Sequence, residues 1–137
     1  MINIVCSECK KNCCGEIKKL RPVLIPSEEK KFKSSCDVIN TPFGDMFVLK
    51  RKRNGLCVFF DRTKRKCAIY DKRPLECRLY PILMTFSEDN GIGIIIDKRF
   101  CKSLNTLKYD DEKILKNLKN IKLSDDWVKA YKTLNDF

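Results

Sequence analysis

The chain has 137 residues, 34% of them charged, and its 29 lysines and arginines outnumber 18 aspartates and glutamates to give a formal charge of +11. This length predicts one domain that buries a core of its own, and the charge indicates acidic rather than basic partners. The absence of histidine excludes Ser-His and Cys-His catalytic pairs, so classical catalysis finds little support. Catalysis by an iron–sulfur cluster with one iron accessible to substrate remains an alternative.

The first predicted elements are a short helix and a β-hairpin. Pro22 and Pro26 interrupt any long helix, and Ser27 is a candidate N-cap for a helix over 28–34. In "DMFVLKRKRNGLCVFFD" two strand-like runs flank Asn54-Gly55, a dipeptide that favours a type I′ turn because both turn positions need positive φ. The pattern therefore predicts that these two runs pair with each other.

A short helix and a second hairpin follow. In "KRPLECRLYP" Pro74 suits the first turn of a helix and Pro81 ends it. The runs "PILMTFSED" and "IGIIID" are predicted to pair through a turn at Asn90-Gly91.

The last thirty residues have helical periodicity and predict two helices, the second capped by Ser124. We therefore predict an α+β fold, a small single domain with two β-hairpins, short helices and a C-terminal helical pair. Residues 1–107 would form a cysteine-cluster metal-binding domain, and residues 108–137 a C-terminal helical extension packed on it. The apolar helix positions are Ile114, Leu115, Leu118 and Ile121, then Trp127, Val128, Tyr131 and Leu134.

Nine cysteines require a chemical explanation in a chain of this size. The N-terminus has no secretory pattern and no apolar run approaches the ~18 residues that span a bilayer, so we expect a cytoplasmic protein without membrane contact. In a reducing cytosol, thiols bind metals or do redox chemistry more often than they form structural disulfides. We predict eight metal ligands, with Cys36 open as a further one: Cys6, Cys9, Cys13, Cys14, Cys57, Cys67, Cys77 and Cys101.

The spacing of these cysteines indicates elements folded around a centre. Cys6 and Cys9 form a C-x2-C turn that points both sulfurs at one metal or cluster. Adjacent Cys13 and Cys14 point to opposite sides in extended backbone, so one pair can serve two places. Further along, Cys57, Cys67 and Cys77 each have nine residues between them and the next, on a predicted strand, after a basic turn and in a short helix.

Two blocks of this sequence resemble a known family. "CSECKKNCC" and "GLCVFFDRTKRKCAIYDKRPLECRLYP" are similar to the corresponding blocks of the YkgJ-like CxxCxxxCC cysteine-cluster family, whose members are described as zinc- or iron-chelating. The resemblance covers roughly residues 6 to 101. It implies metal binding and does not specify a reaction.

Ligand chemistry favours iron–sulfur clusters over zinc. Zinc sites are often built from two C-x2-C knuckles and histidines, whereas this chain has a single C-x2-C and no histidine. The scattered thiols suit one or two [4Fe–4S] clusters acting in electron transfer or in a redox accessory protein. A structural Zn2+ module for protein interaction is the alternative.

Basic side chains surround the predicted ligands. The runs "KRKR" and "RTKRK" bracket Cys57, and they suit an acidic redox protein or enzyme as partner, or, less favoured, nucleic acid phosphates. Their alternative interpretation is solvated turns at hairpin ends. Arg73 and Arg78 near Cys77 are predicted to sit behind the ligands, where a cation stabilises the more negative, reduced state of a cluster.

Overall fold

The computed structural model describes residues 21–97 and 109–134, which form helices and three two-stranded antiparallel sheets. The predicted α+β class of a small single domain is confirmed. The elements in chain order are α1 (Pro26–Phe32), β1 (Cys36–Thr41), β2 (Gly44–Leu49), β3 (Phe60–Asp61), β4 (Lys66–Cys67), α2 (Leu75–Leu79), β5 (Ile82–Phe86), β6 (Ile92–Ile96), α3 (Asp111–Lys119) and α4 (Asp125–Leu134). Within these described ranges no helix has the length and apolarity needed to span a membrane.

The first helix begins at Pro26, one residue before the predicted cap. Ile25 occupies the N-cap position and Pro26 the first turn, so Ser27 lies inside α1 instead of capping it. Proline is favoured there because its fixed φ suits the helix and its missing N–H has no intrahelical partner to lose. The cap is completed by Glu28, whose carboxylate accepts the Ile25 N–H at 3.2 Å.

The strand pairing around the first Asn-Gly differs from the prediction. Strand β2 pairs with the upstream strand β1, from Cys36 opposite Leu49 to Thr41 opposite Gly44, and not with the run after Gly55. The side chains at 46–49 are all buried, so β2 needs cover on both faces, which the short downstream run does not supply. Of the predicted hairpin there remains one bridge, between Arg51 and Cys57.

Both Asn-Gly segments do form tight turns, although neither is type I′. Gly55 has φ +86° and is the last residue of the Lys52–Gly55 turn, and Asn90, with φ +64°, is the last residue of the Ser87–Asn90 turn. One left-handed residue per loop is the pattern of a three-residue connection, a type I turn followed by an αL residue. The second predicted hairpin is confirmed: β5 pairs with β6 from Ile82 opposite Ile96 to Phe86 opposite Ile92.

Two hydrophobic clusters lie on either side of α2. The larger joins β2, α2 and β5 to the C-terminal helices, where Trp127 and Tyr131 stack at 5.1 Å between ring centroids. Both predicted C-terminal helices are present, and Ser124 caps α4 by accepting the Trp127 N–H at 3.1 Å. The smaller cluster, which includes Leu24, Phe32, Phe47 and Phe60, packs around Cys36 and Cys57.

Candidate metal centre

Three of the predicted ligands line one cavity. Cys57, Cys67 and Cys77 face it together, and the other lining side chains are apolar apart from one arginine. Those residues are Pro22, Leu49, Phe59, Phe60, Ile69, Arg73 and Pro74. The cavity therefore collects three thiols among mostly apolar side chains.

Short local elements explain how sequence-distant thiols meet. Cys57 follows the tight turn, bridges to Arg51, and its carbonyl accepts the Phe60 N–H at 2.9 Å. Phe60 pairs with Cys67 across the β3–β4 ladder, which brings the second thiol to the first. Pro74 then starts α2, and one turn of this helix delivers Cys77.

Arg73 is the buried charge of this cavity. The residue is only 5% exposed, its Nε donates to the Tyr70 carbonyl at 2.8 Å, and its Nη1 lies 3.4 Å from the Cys77 carbonyl. The guanidinium also covers the Tyr70 ring at 3.9 Å from the centroid. A buried cation held this firmly beside three thiols stabilises negative charge on them.

The electrostatics of Cys67 reflect this arrangement. Burial raises the pKa of the Cys67 thiol, and the neighbouring Cys57 thiolate raises it further. A backbone hydrogen bond with Ile69 and the positive charge of Arg73 oppose that rise in pKa. Both opposing groups favour the thiolate, which is the form that binds metals.

Cys36 is placed differently. It is 6% exposed in the smaller hydrophobic cluster, opposite Leu49 in the first sheet, and it does not line the cavity. Burial and the nearby Asp37 carboxylate raise the pKa of its thiol to about 11. Such a thiol stays protonated at neutral pH and packs as a small apolar side chain.

Arg78 lies on another side of α2 from Arg73. Its Nη2 is 4.0 Å from a Glu28 carboxylate oxygen, and its buried Nε has no hydrogen-bond partner among the described residues. Arg78 does not line the cysteine cavity. Consecutive helix residues differ by about 100° in direction, so the residue after Cys77 points away from the site that Cys77 faces.

Two glutamates that the sequence analysis did not single out hold α2 in place. Glu28 accepts the Leu75 N–H at 2.7 Å, and Glu76 accepts the Val23 N–H at 2.6 Å and the Tyr131 hydroxyl at 2.6 Å. Burial raises the pKa of both carboxyls, while these hydrogen bonds oppose the rise. Their partners are 47 to 55 residues away, apart from Ile25, so no local pattern signals them.

The other predicted ligands, Cys6, Cys9, Cys13, Cys14 and Cys101, lie outside the described residues. Within residues 21–97 and 109–134, no three cysteine or acidic side chains stand close enough to hold a metal ion by themselves. All four cysteines in these ranges are free thiols. The donor set nevertheless fits a thiolate-bound metal or cluster, because three thiols line one cavity with apolar walls and a buried compensating cation.

Comparison with known proteins agrees with this chemistry. Residues 5–102 match a family model described as "CxxCxxCC: Putative zinc- or iron-chelating domain", which spans well over half of the chain. Neither the curated proteins nor the solved structures contain a match.

Proposed function

The chain belongs to the CxxCxxCC family of zinc- or iron-chelating domains, and on that premise we propose that it binds one or two [4Fe–4S] clusters and works in the cytosol in electron transfer or as a redox accessory protein. The observation that carries this proposal is the convergence of Cys57, Cys67 and Cys77 on one apolar cavity beside the buried Arg73. When bound, the cluster would supply a one-electron couple.

The ligand type supports iron–sulfur chemistry over zinc. The full chain offers nine thiols and no imidazole, and the three cavity thiols come from separate, short elements with nine residues between each and the next. A four-iron cube presents well-separated corners that such elements can reach, whereas a single zinc ion needs all donors about 2.3 Å from one point.

The surroundings support a redox role for the bound group. Apolar side chains on most of the cavity wall lower the local dielectric constant. Arg73 would offset the negative charge of the thiolates, and this stabilisation is greatest for the more negative, reduced state. Arg73 would thus lie where the added negative charge of a reduced cluster would develop.

Ligand substitutions test the assignment. The full chain and its Cys57→Ser, Cys67→Ser and Cys77→Ser variants would be reconstituted anaerobically with iron and sulfide, and bound iron, sulfide and visible absorption measured. Each substitution should reduce cluster content, while Cys36→Ser, a matched change of another buried thiol, should leave it unchanged. Zinc uptake without sulfide in the wild type, or full cluster content in all three variants, would contradict the proposal.

A further inference from the structure

The positive charge of this protein is concentrated beside the cysteine cavity. The segment 50–73, less than a fifth of the chain, contains ten lysines and arginines and two aspartates, a formal +8 of the total +11. The remaining residues are close to neutral by comparison. Evenly distributed positive charge would favour solubility, whereas a local excess of this size creates an electrostatic field directed from one side of the protein.

Two loops carry most of this charge, residues 50–53 and 62–66, and together they form what we call the basic face. All but Arg51 of their cationic side chains are exposed. In the first loop, Arg51 forms an antiparallel bridge with Cys57. The second loop ends at Lys66, directly before Cys67. Both loops therefore begin or end beside a thiol of the cavity.

The two loops are neighbours in space and are internally held. The Lys52 ammonium donates to the Phe60 carbonyl at 3.1 Å, which links the first loop to the base of the second. In the second loop, the Asp61 carboxylate accepts the backbone N–H groups of Thr63 and Lys64 at 3.0 and 3.1 Å. The two loops contain eight lysines and arginines against this one carboxylate, so the field of the basic face stays positive.

We propose that the basic face is the docking surface for a small acidic electron-transfer protein, an inference that rests on the proposed function. Electrostatic complementarity of this kind steers association and sets orientation. A partner bound across loops 50–53 and 62–66 lies at the edge of the cavity that Cys57 and Cys67 line. The charge that attracts the partner therefore also brings it near the site of electron exchange.

An acidic protein fits this surface better than a nucleic acid does. Proteins that bind single strands stack bases on exposed aromatic rings, and the aromatic residues of segment 50–73 are Phe59, Phe60 and Tyr70, none of which is exposed. Duplex readers insert a helix or a β-ribbon in a groove, whereas these cations lie on short loops.

The test compares two charge-reversed variants of the full chain with equal change in net charge. Arg53→Glu/Lys64→Glu alters the basic face, and Lys116→Glu/Lys119→Glu alters exposed positions on α3. Each protein would be assayed against an immobilised acidic [2Fe–2S] ferredoxin by biolayer interferometry at 20, 100 and 300 mM NaCl. Thermal unfolding would verify that both variants fold.

We expect the wild type to bind the ferredoxin at 20 mM salt and to weaken about tenfold or more by 300 mM. Reversal on the basic face should weaken binding about tenfold at 20 mM, and reversal on α3 less than about twofold. Equal losses in the two variants, or no binding by the wild type, would overturn the proposal. Binding of a 20-base-pair DNA that only the basic-face variant loses, with no ferredoxin binding, would overturn it in favour of nucleic acid.

The design separates this inference from the proposed function. Iron and acid-labile sulfide would be measured on every sample before the binding assay. A protein that contains zinc and no sulfide contradicts electron transfer, yet its binding to the ferredoxin still reports on the basic face. A cluster-containing protein that does not bind contradicts the docking proposal alone.

Discussion

The hydrogen bond from Tyr131 to Glu76 ties the last described helix to the helix that carries Cys77, and replacing Tyr131 with Phe tests its importance. The hydroxyl lies 2.6 Å from the Glu76 carboxylate, and Tyr131 is 1% exposed. Phenylalanine keeps the ring that stacks on Trp127 and meets Phe86 edge-on at 5.5 Å, so the substitution removes little besides the donor. Hydrogen bonds to charged groups contribute about 1.5–3 kcal/mol, and we expect a loss of about 2 kcal/mol in the free energy of unfolding at a pH above the folded pKa of Glu76, where its carboxylate is ionised.

The assay is urea unfolding followed by the fluorescence of Trp127, the single tryptophan of the chain. A double-mutant cycle with Glu76→Gln isolates the pair, because the hydroxyl should contribute only about 0.5–1.5 kcal/mol to a neutral amide. The Tyr131 hydroxyl favours the ionised form of Glu76, so the effect of Tyr131→Phe should shrink as the pH falls below the folded pKa of Glu76. A loss under about 0.5 kcal/mol, or an equal loss when Tyr131→Phe is combined with Glu76→Gln, would refute the reasoning.

Arg73, Cys36 and Glu76 can each be tested by one substitution or one labelling experiment. Arg73→Gln should lower the midpoint potential of the reconstituted centre by about 100 mV in film voltammetry, for a distance of ~6 Å between guanidinium and cluster and an effective dielectric constant of ~20. Arg73→Lys and Arg78→Gln should change the potential by less than half as much. Equal shifts for Arg73→Gln and Arg78→Gln would contradict the placement of these cations. With a thiol pKa raised to about 11, Cys36 should react with iodoacetamide at pH 8 on the order of 100-fold more slowly than an ordinary cysteine, as peptide mass spectrometry would show; rapid labelling would disprove its burial. Because burial raises the pKa of Glu76 above 4.5, its contribution to stability is complete below pH 4.5 and is lost as the pH rises through the folded pKa. Glu76→Gln should therefore flatten the dependence of the free energy of unfolding on pH in that range, as measured by urea titrations at a series of pH values. An unchanged pH dependence would contradict the raised pKa of Glu76.

Local patterns predicted the elements well where one face is apolar or a cap is present. The helical periodicity around Leu118 and Tyr131 and the Ser124 cap gave both C-terminal helices, and the second hairpin turns at Asn90 as its sequence indicates. The predicted pairing of the first hairpin was wrong, because Asn54-Gly55 specifies a turn and does not specify which strands pair. Burial of β2 on both faces decided its pairing, and burial is a property of the whole fold.

The site was predictable in its residue types and less so in its geometry. Equal spacing of Cys57, Cys67 and Cys77 indicated that their elements fold around a centre, and the cavity brings the three together. Arg73 and Arg78 are the same residue type, and both lie close to Cys77 in the sequence. Arg73 precedes α2 and lines the cavity, whereas Arg78 lies within α2 and points toward Glu28. That distinction depends on which face of one short helix is turned inward, which neighbouring sequence does not encode.

The central claim is that the cysteines hold an iron–sulfur cluster, and the most direct test is the metal and acid-labile sulfide content of anaerobically purified full-length protein, with EPR spectra before and after dithionite. We expect iron and sulfide in equal amounts, near four or near eight of each per chain, and an EPR signal that changes on reduction. Zinc without sulfide, and no EPR signal in either state, would contradict it and leave a structural metal domain.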